Sequence, residues 1–136
     1  MKKRRNAFTL IELMVVILIV GILAALAVPM IRGRIDAAKW SEAAATAGTI
    51  RTAVRTYAAE KGVTQATTDL GGKMVDTVLS ELGFNAGDLT GTYFTSASAF
   101  IVTSIDATTV IGVITVDGTA AGLTGTKTLN AAGDFK

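Results

Sequence analysis

Any chemistry in this sequence would have to use carboxylates, lysine, tyrosine or serine, because the chain contains no histidine and no cysteine. Their absence excludes Ser-His-Asp and Cys-His nucleophilic sites, and zinc or haem sites that use those ligands. Asp76 and Glu81 are five residues apart, so they do not share one face of a helix and form no acid–base pair. We therefore expect neither enzymatic activity nor a cofactor.

Three aspartates in or near predicted turns offer oxygen atoms that could bind calcium: Asp106, Asp117 and Asp134. A calcium site needs several oxygen ligands from one loop, and no contiguous loop here has that density of carboxylates. Aspartates that cap turns and face solvent are the better interpretation. We predict no metal site.

One further carboxylate, Glu12, lies where its charge needs an explanation. It directly precedes an unbroken apolar run from Leu13 to Val28. A helix over residues 8–31 would be about 36 Å long, enough to cross a hydrocarbon core of about 30 Å. A charge inside such a helix is costly, and no Lys or Arg lies between residues 6 and 31 to pair with it. The partner of Glu12 is therefore expected from another chain, or from a new amino terminus made by cleavage nearby.

The basic residues are unevenly placed, and this predicts a topology. Four of the 13 Lys and Arg residues precede the apolar run, at positions 2–5. Such a flank stays cytoplasmic, so the chain should cross the inner membrane once, with its carboxyl-terminal part outside. No basic groove with interleaved aromatic residues follows, and we predict no nucleic-acid partner. A monomeric membrane-anchored binding module would explain the flank and the apolar run, but not Glu12.

The ten residues from Ala7 to Val16, AFTLIELMVV, resemble the amino-terminal signature of type IV pilins and type II secretion pseudopilins. In that family a prepilin peptidase cuts before the Phe and methylates its new amino group. The resemblance covers about residues 1–60. It implies a leader peptide at 1–7, cleavage between Ala7 and Phe8, and N-methylation of Phe8. Ala7 stands where the family usually has glycine.

The resemblance also implies partners and a role for Glu12, which would neutralise the Phe8 amino group of an adjacent subunit in a helical filament. The implied partners are further copies of the chain, the prepilin peptidase, an inner-membrane assembly platform with its ATPase, minor pilins, and membrane lipid before assembly. The filament would be extracellular or periplasmic. A type IV pilus subunit and a major pseudopilin of a type II secretion system both remain open. The Thr- and Gly-rich carboxyl-terminal part without an evident calcium loop favours the pilin.

Two helical segments should position these residues. The first covers 8–31, and Gly21 and Pro29, which also match the family, predict a kink or local melting near 25–28. The second, 32–61, is amphipathic and should end before Gly62. Its apolar stripe comprises Ala43, Ala47, Ile50, Val54 and Tyr57. Trp40 lies off the stripe, which suggests an interfacial anchor or a contact between subunits.

Residues 62–136 should form a globular head. The pattern predicts a short helix at 73–82, strands at 93–95, 99–105, 108–116 and 126–130, and turns at 105–108 and 117–118. The expected fold class is α+β: a long amino-terminal helix packed on a small antiparallel sheet of three or four strands. The family resemblance implies the same fold.

Overall fold

The computed structural model describes residues 8–136. The proposed leader, including Ala7 and the basic cluster, lies outside the described residues. The chain divides into two compact units, one ending at Asp36 and the other comprising Ala37–Lys136, which is called the head below. Each unit is described by itself.

Helix α1 comprises Leu10–Lys61. In the amino-terminal unit the helix continues through both Gly21 and Pro29 without a break. Proline has no N–H to donate to the carbonyl four residues before it, yet the flanking turns keep their helical conformation. The predicted local melting near 25–28 is therefore wrong for this structure, and the kink at Gly21 and Pro29 stays a prediction.

In the head, α1 buries one face. Ala43, Ala47, Ile50 and Val54 are fully buried, as the stripe predicted. Tyr57 is only partly buried, and Ala58 completes the buried face instead. The Gly62 N–H donates to the Ala58 carbonyl with Gly62 at φ +88°, which ends the helix where the sequence indicated.

The buried face of α1 packs against a four-stranded antiparallel sheet, which confirms the expected α+β fold class. The strands follow one another in chain order: β1 (Lys73–Met74), β2 (Phe100–Asp106), β3 (Ile111–Asp117) and β4 (Thr126–Leu129). The three longer strands overlap the predictions at 99–105, 108–116 and 126–130. The register shifts between Val102 and Ser104, so a bulge at Thr103 returns Ile105 to the buried side.

The prediction for residues 73–82 is wrong. The helix expected at 73–82 is absent, because Lys73 and Met74 pair with Val102 and Ile101 of β2 and a 3-10 turn follows at Val75–Thr77. A helix that the pattern did not predict, α2, comprises Val63–Leu70 instead. The apolar residues of 73–82 still pack into the core, since Val75, Val78 and Leu82 are buried.

Tyr93–Thr95 also forms no strand. Phe94 is fully buried there, and the backbone around it is held by a side chain of α1 rather than by a neighbouring strand. The segment resembles a strand in sequence because it contains Tyr93 and Phe94, but only Phe94 belongs to the core. The backbone N–H groups of Tyr93 and Phe94 donate to the Glu42 carboxylate instead of to a neighbouring strand.

The aspartates at the turns act as caps. The Asp106 carboxylate accepts hydrogen bonds from the N–H groups of Thr108 and Thr109, and the Asp117 carboxylate accepts one from Thr119 N–H. These N–H donors lower the pKa values of both carboxyl groups. The turn expected at 105–108 lies slightly later, at 107–110, and a 3-10 turn follows Asp117 at Gly118–Ala121.

Candidate functional site

The amino-terminal unit presents an uncovered apolar surface. Phe8 is 84% exposed, and the large apolar side chains from Leu10 to Ile31 are between 48% and 77% exposed. The helix is long and apolar enough to cross a membrane. An exposed apolar surface of this extent marks a site that contacts lipid or other protein. This segment, with Glu12 near its start, is the candidate functional site.

Glu12 has a partner within its own chain. Its Oε2 atom accepts hydrogen bonds from the Thr9 N–H at 2.9 Å and the Thr9 hydroxyl at 2.8 Å. The Glu12 N–H donates to the Thr9 Oγ1 at 3.3 Å. These reciprocal bonds form a capping box at the start of α1. The partner expected from another chain, or from a new amino terminus made by cleavage, was a positive charge. The Thr9 bonds supply none, so that expectation stays a prediction.

The other carboxylate oxygen differs. Among the described residues, none donates a hydrogen bond to Glu12 Oε1. The capping box orients the carboxylate but brings no positive charge to it. Glu12 thus presents, at the start of the apolar surface, one carboxylate oxygen that accepts no hydrogen bond from residues 8–136. Phe8, the other predicted assembly residue, lies just before the capping box.

In the head, a second carboxylate has a role that the sequence analysis missed. Glu42 on α1 accepts three backbone hydrogen bonds, from the N–H groups of Thr92 at 3.1 Å, Tyr93 at 2.8 Å and Phe94 at 2.9 Å. The Phe94 N–H makes the largest contribution to lowering the pKa of Glu42. The loop approaches so closely that a Cβ at Gly91 would collide with the carboxylate. No sequence signal marks this contact, since Glu42 resembles any polar residue off the stripe.

A similar contact attaches α2 to α1. The Tyr57 hydroxyl donates to Asp69 Oδ2 at 2.7 Å, and the Gln65 amide donates to both Asp69 oxygens. The bond from Tyr57 is the main cause that lowers the pKa of Asp69, and the same bond raises the pKa of Tyr57. Tyr57 therefore contributes a polar contact as well as its packing.

Trp40 packs within the head. Its ring centroid lies 6.4 Å from that of Phe94 and 5.9 Å from that of Phe135. The Lys127 ammonium lies 5.5 Å from its ring centroid, a cation–π distance. The expected roles as a membrane anchor or a subunit contact are not needed to explain this residue, because its ring holds the carboxyl-terminal segment.

That segment closes without a disulfide. Thr128 and Lys136 exchange backbone hydrogen bonds at 2.7 and 3.2 Å, and Leu129 pairs with Phe135. Asn130 and Asp134 hydrogen-bond to one another across the turn between them. The last residues of the chain therefore fold back in a hairpin and pair with the end of β4.

Comparisons with known proteins agree with the amino-terminal signature. Residues 2–28 match the family described as Prokaryotic N-terminal methylation motif. Fimbrial protein EcpC of Eikenella corrodens is 37% identical over 99 residues, which cover 68% of this chain and 65% of EcpC. Type IV major fimbrial protein FimA of Dichelobacter nodosus is 45% identical over 56 residues, which cover 41% of this chain and 36% of FimA.

Type II secretion system core protein G of Pseudomonas aeruginosa is 55% identical over 38 residues, which cover 28% of this chain and 27% of that protein. No solved structure matches the chain significantly. The chain spans less than two thirds of the length of each of these relatives. Residues 2–28 thus carry the prokaryotic N-terminal methylation motif, and the chain is related in sequence to type IV fimbrial proteins and to a type II secretion system core protein.

Proposed function

We propose that this protein is the structural subunit of an extracellular type IV pilus filament, polymerised through the apolar segment 8–31. The observation that carries the proposal is the exposed apolar face from Phe8 to Ile31 with an ionisable group, Glu12, at its start. A membrane would cover the apolar side chains before assembly. Neighbouring helices of the same kind would cover them in a filament.

The charge of Glu12 selects the filament over a simple anchor. A lone membrane helix can use Glu12 to cap its start, but an uncharged Gln would cap it as well, so the helix gains nothing from the negative charge. Cleavage between Ala7 and Phe8 would create an ammonium group just before the capping box. The Phe8 ammonium of an adjacent subunit could then pair with Glu12, whose Oε1 has no donor among the described residues. Burying the two charges as a pair costs less than burying either alone.

The proposal includes a life cycle. The precursor crosses the inner membrane once with its basic leader in the cytoplasm, and a prepilin peptidase removes residues 1–7 and methylates Phe8. An assembly platform with its ATPase then extracts the subunit from the lipid into the growing filament, which minor pilins accompany. The role is structural rather than enzymatic.

The second candidate is the major pseudopilin of a type II secretion system. The match to core protein G supports it, with 55% identity over 38 residues. The matches to fimbrial proteins extend over 56 and 99 residues, and the longest covers 68% of the chain. Similarity over most of the chain supports the pilus more than similarity confined to 28% of it does.

The test compares the wild type with Glu12→Gln and Glu12→Leu in the organism's own filament system. Gln retains an oxygen that can accept the Thr9 bonds but removes the charge, so it separates the capping box from the ion pair. We expect both variants to accumulate in the membrane. The ratio of sheared surface protein to membrane protein should fall about tenfold or more, because each neighbouring ammonium loses its partner.

Glu60→Gln is the matched control, since Glu60 is an exposed Glu on α1 and its replacement should leave that ratio unchanged. The intact mass of sheared protein should correspond to a chain that begins at N-methylated Phe8. Normal filament yield from Glu12→Leu would refute the charge pair. A sheared mass that includes residues 1–7 would refute the processing step. A deletion strain scored for surface filaments and for retained secreted proteins separates the pilus from the pseudopilus.

A further inference from the structure

A small cationic cavity lies on the head, away from the apolar segment of residues 8–31 in sequence. Its volume is about 170 Å³. Its walls come from α1, the first residue of β3 and the loop after β4. The lining residues are Arg51, Thr52, Arg55, Ile111 and Ala131.

Arg51 is fixed in this cavity but only partly satisfied. One of its terminal nitrogens, Nη2, donates to the Asn130 carbonyl. Its Nε–H is buried and has no hydrogen-bond partner in the part of the chain that the structure describes. A buried donor without an acceptor is destabilising and uncommon in folded proteins. The bond to the Asn130 carbonyl therefore holds the guanidinium group in place at the wall of the cavity.

Arg55 lies one helical turn further on and is exposed. Among residues 8–136, no hydrogen bond or ion pair to a carboxylate engages Arg55, and none pairs Arg51 with a carboxylate. Like charges four residues apart on a helix repel each other. An anion in the cavity beside the two guanidinium groups would remove this repulsion and could hydrogen-bond to the guanidinium N–H groups that line it.

We propose that this cavity binds an oxyanion, either a carboxylate or a phosphate. The planar fork of a guanidinium group matches both ligands with paired, charge-assisted hydrogen bonds. A cavity of about 170 Å³ has room for such a group, since one water occupies about 30 Å³ of the liquid. The same chemistry has two possible sources: a dissolved anion, or an exposed carboxylate of a second copy, such as that of Asp76 or Glu81. The cavity is formed by head residues alone, so binding does not depend on the proposed filament role.

The probe is inorganic phosphate, titrated into the detergent-solubilised, ¹⁵N-labelled full chain at constant ionic strength, with sodium acetate in a parallel titration. The readout is the Nε–H resonance of Arg51. We expect a saturable shift of this resonance as the oxyanion binds the same guanidinium group. Arg55→Gln should weaken the apparent affinity about tenfold, which corresponds to one lost charge-assisted contact. Arg55 makes no contact that the fold needs, so this variant keeps the head intact.

Lys61→Gln is the matched control, because it removes the same charge from an exposed position on the same helix. It should change the affinity less than about twofold, as expected for a screened distant charge. Arg51→Lys serves as a second variant, which keeps the charge but loses the fork and should also weaken binding.

A second arm identifies the source. If a second copy supplies the carboxylate, raising the protein concentration in phosphate-free buffer should move the same resonance. Combined replacement of Asp76 and Glu81 by their amides should then abolish that shift. Movement in either arm supports the oxyanion site. A resonance that moves in neither arm, or a phosphate shift that Arg55→Gln and Lys61→Gln change equally, overturns it. Filament assembly enters neither arm, so a failure here leaves the pilus proposal untouched.

Discussion

Replacing Glu42 should loosen the head at the loop around Phe94. Its carboxylate accepts three backbone hydrogen bonds at 3.1 Å or less. Among the described residues, no other group donates a hydrogen bond to it. In Glu42→Ala the N–H groups of Thr92 and Tyr93 can bond to water, because both are exposed, whereas that of Phe94 is partly buried. The variant therefore loses the charge-assisted bonds and leaves one donor poorly solvated.

The expected magnitude follows from these contacts. A hydrogen bond to a charged group contributes about 1.5–3 kcal/mol, but partial exposure of Glu42 screens its charge, so we expect a loss of about 1–2 kcal/mol. The head has 100 residues, Ala37–Lys136. For a domain of that size about 1 kcal/mol lowers Tm by about 4–8 °C. Glu42→Ala should therefore lower Tm by about 5–15 °C, with Glu42→Gln roughly half as severe because Oε1 keeps its two donors.

The assay is thermal unfolding of the detergent-solubilised chain followed by circular dichroism, at several pH values. The N–H donors lower the pKa of Glu42 in the folded state, so its stabilising effect is complete above the unfolded value of about 4.3. That effect is lost as the pH falls through the lower folded pKa. The gap between the wild type and Glu42→Gln should therefore be constant near neutrality and close in acid. Glu60→Gln is the control and should not shift Tm. A Glu42→Ala chain that melts with the wild type at neutral pH would refute the reasoning.

Two further predictions concern the head. Gly118→Ala should lower its unfolding free energy by about 1–3 kcal/mol, because the new Cβ would meet Trp40 at 2.8 Å and the Gly125 carbonyl at 2.9 Å. Gly48→Ala is the control, because a Cβ at Gly48 meets no other atom, and it should raise the free energy of unfolding by about 0.5–1 kcal/mol. Denaturant unfolding measures both variants, and equal effects would contradict the proposed contact of Gly118. Asp69→Asn should move the raised pKa of Tyr57 back toward its ordinary value, since Asp69 is the main cause of the rise. Ultraviolet titration of the phenol measures this change, and an unchanged titration curve would exclude the hydrogen bond.

The long helix, its buried stripe and three strands could be predicted from sequence because periodicity reports directly on burial. Ala43, Ala47, Ile50 and Val54 repeat at helical spacing and are all fully buried. The β-branched runs at 100–117 are strands for the same reason. Glu12 was identifiable because a lone charge in a long apolar run is unusual whatever the fold.

The failures have a common physical cause. Residues 73–82 carry apolar side chains at helical spacing, but Lys73 and Met74 complete an edge of the sheet that only the folded chain brings beside them. Phe94 resembles a strand residue, yet its backbone is held by a carboxylate 52 positions earlier in the chain. Contacts that join distant parts of the chain through a side chain and a backbone group leave no periodic signal. The capping box of Thr9 and Glu12 is local, and its Thr-x-x-Glu spacing is a signature that the sequence does carry.

The composition of α1 explains how a small head without cysteines holds together. Its buried face uses alanine at three of five buried positions, which lets the sheet approach closely. The approach is close enough that a Cβ at Gly112 would meet Val54 at 2.9 Å. At one end of this contact Trp40 packs against Gly118 and Phe135, and Lys127 lies over both aromatic rings. The carboxyl-terminal segment is thus closed by packing on the helix whose first half leaves its large apolar side chains exposed.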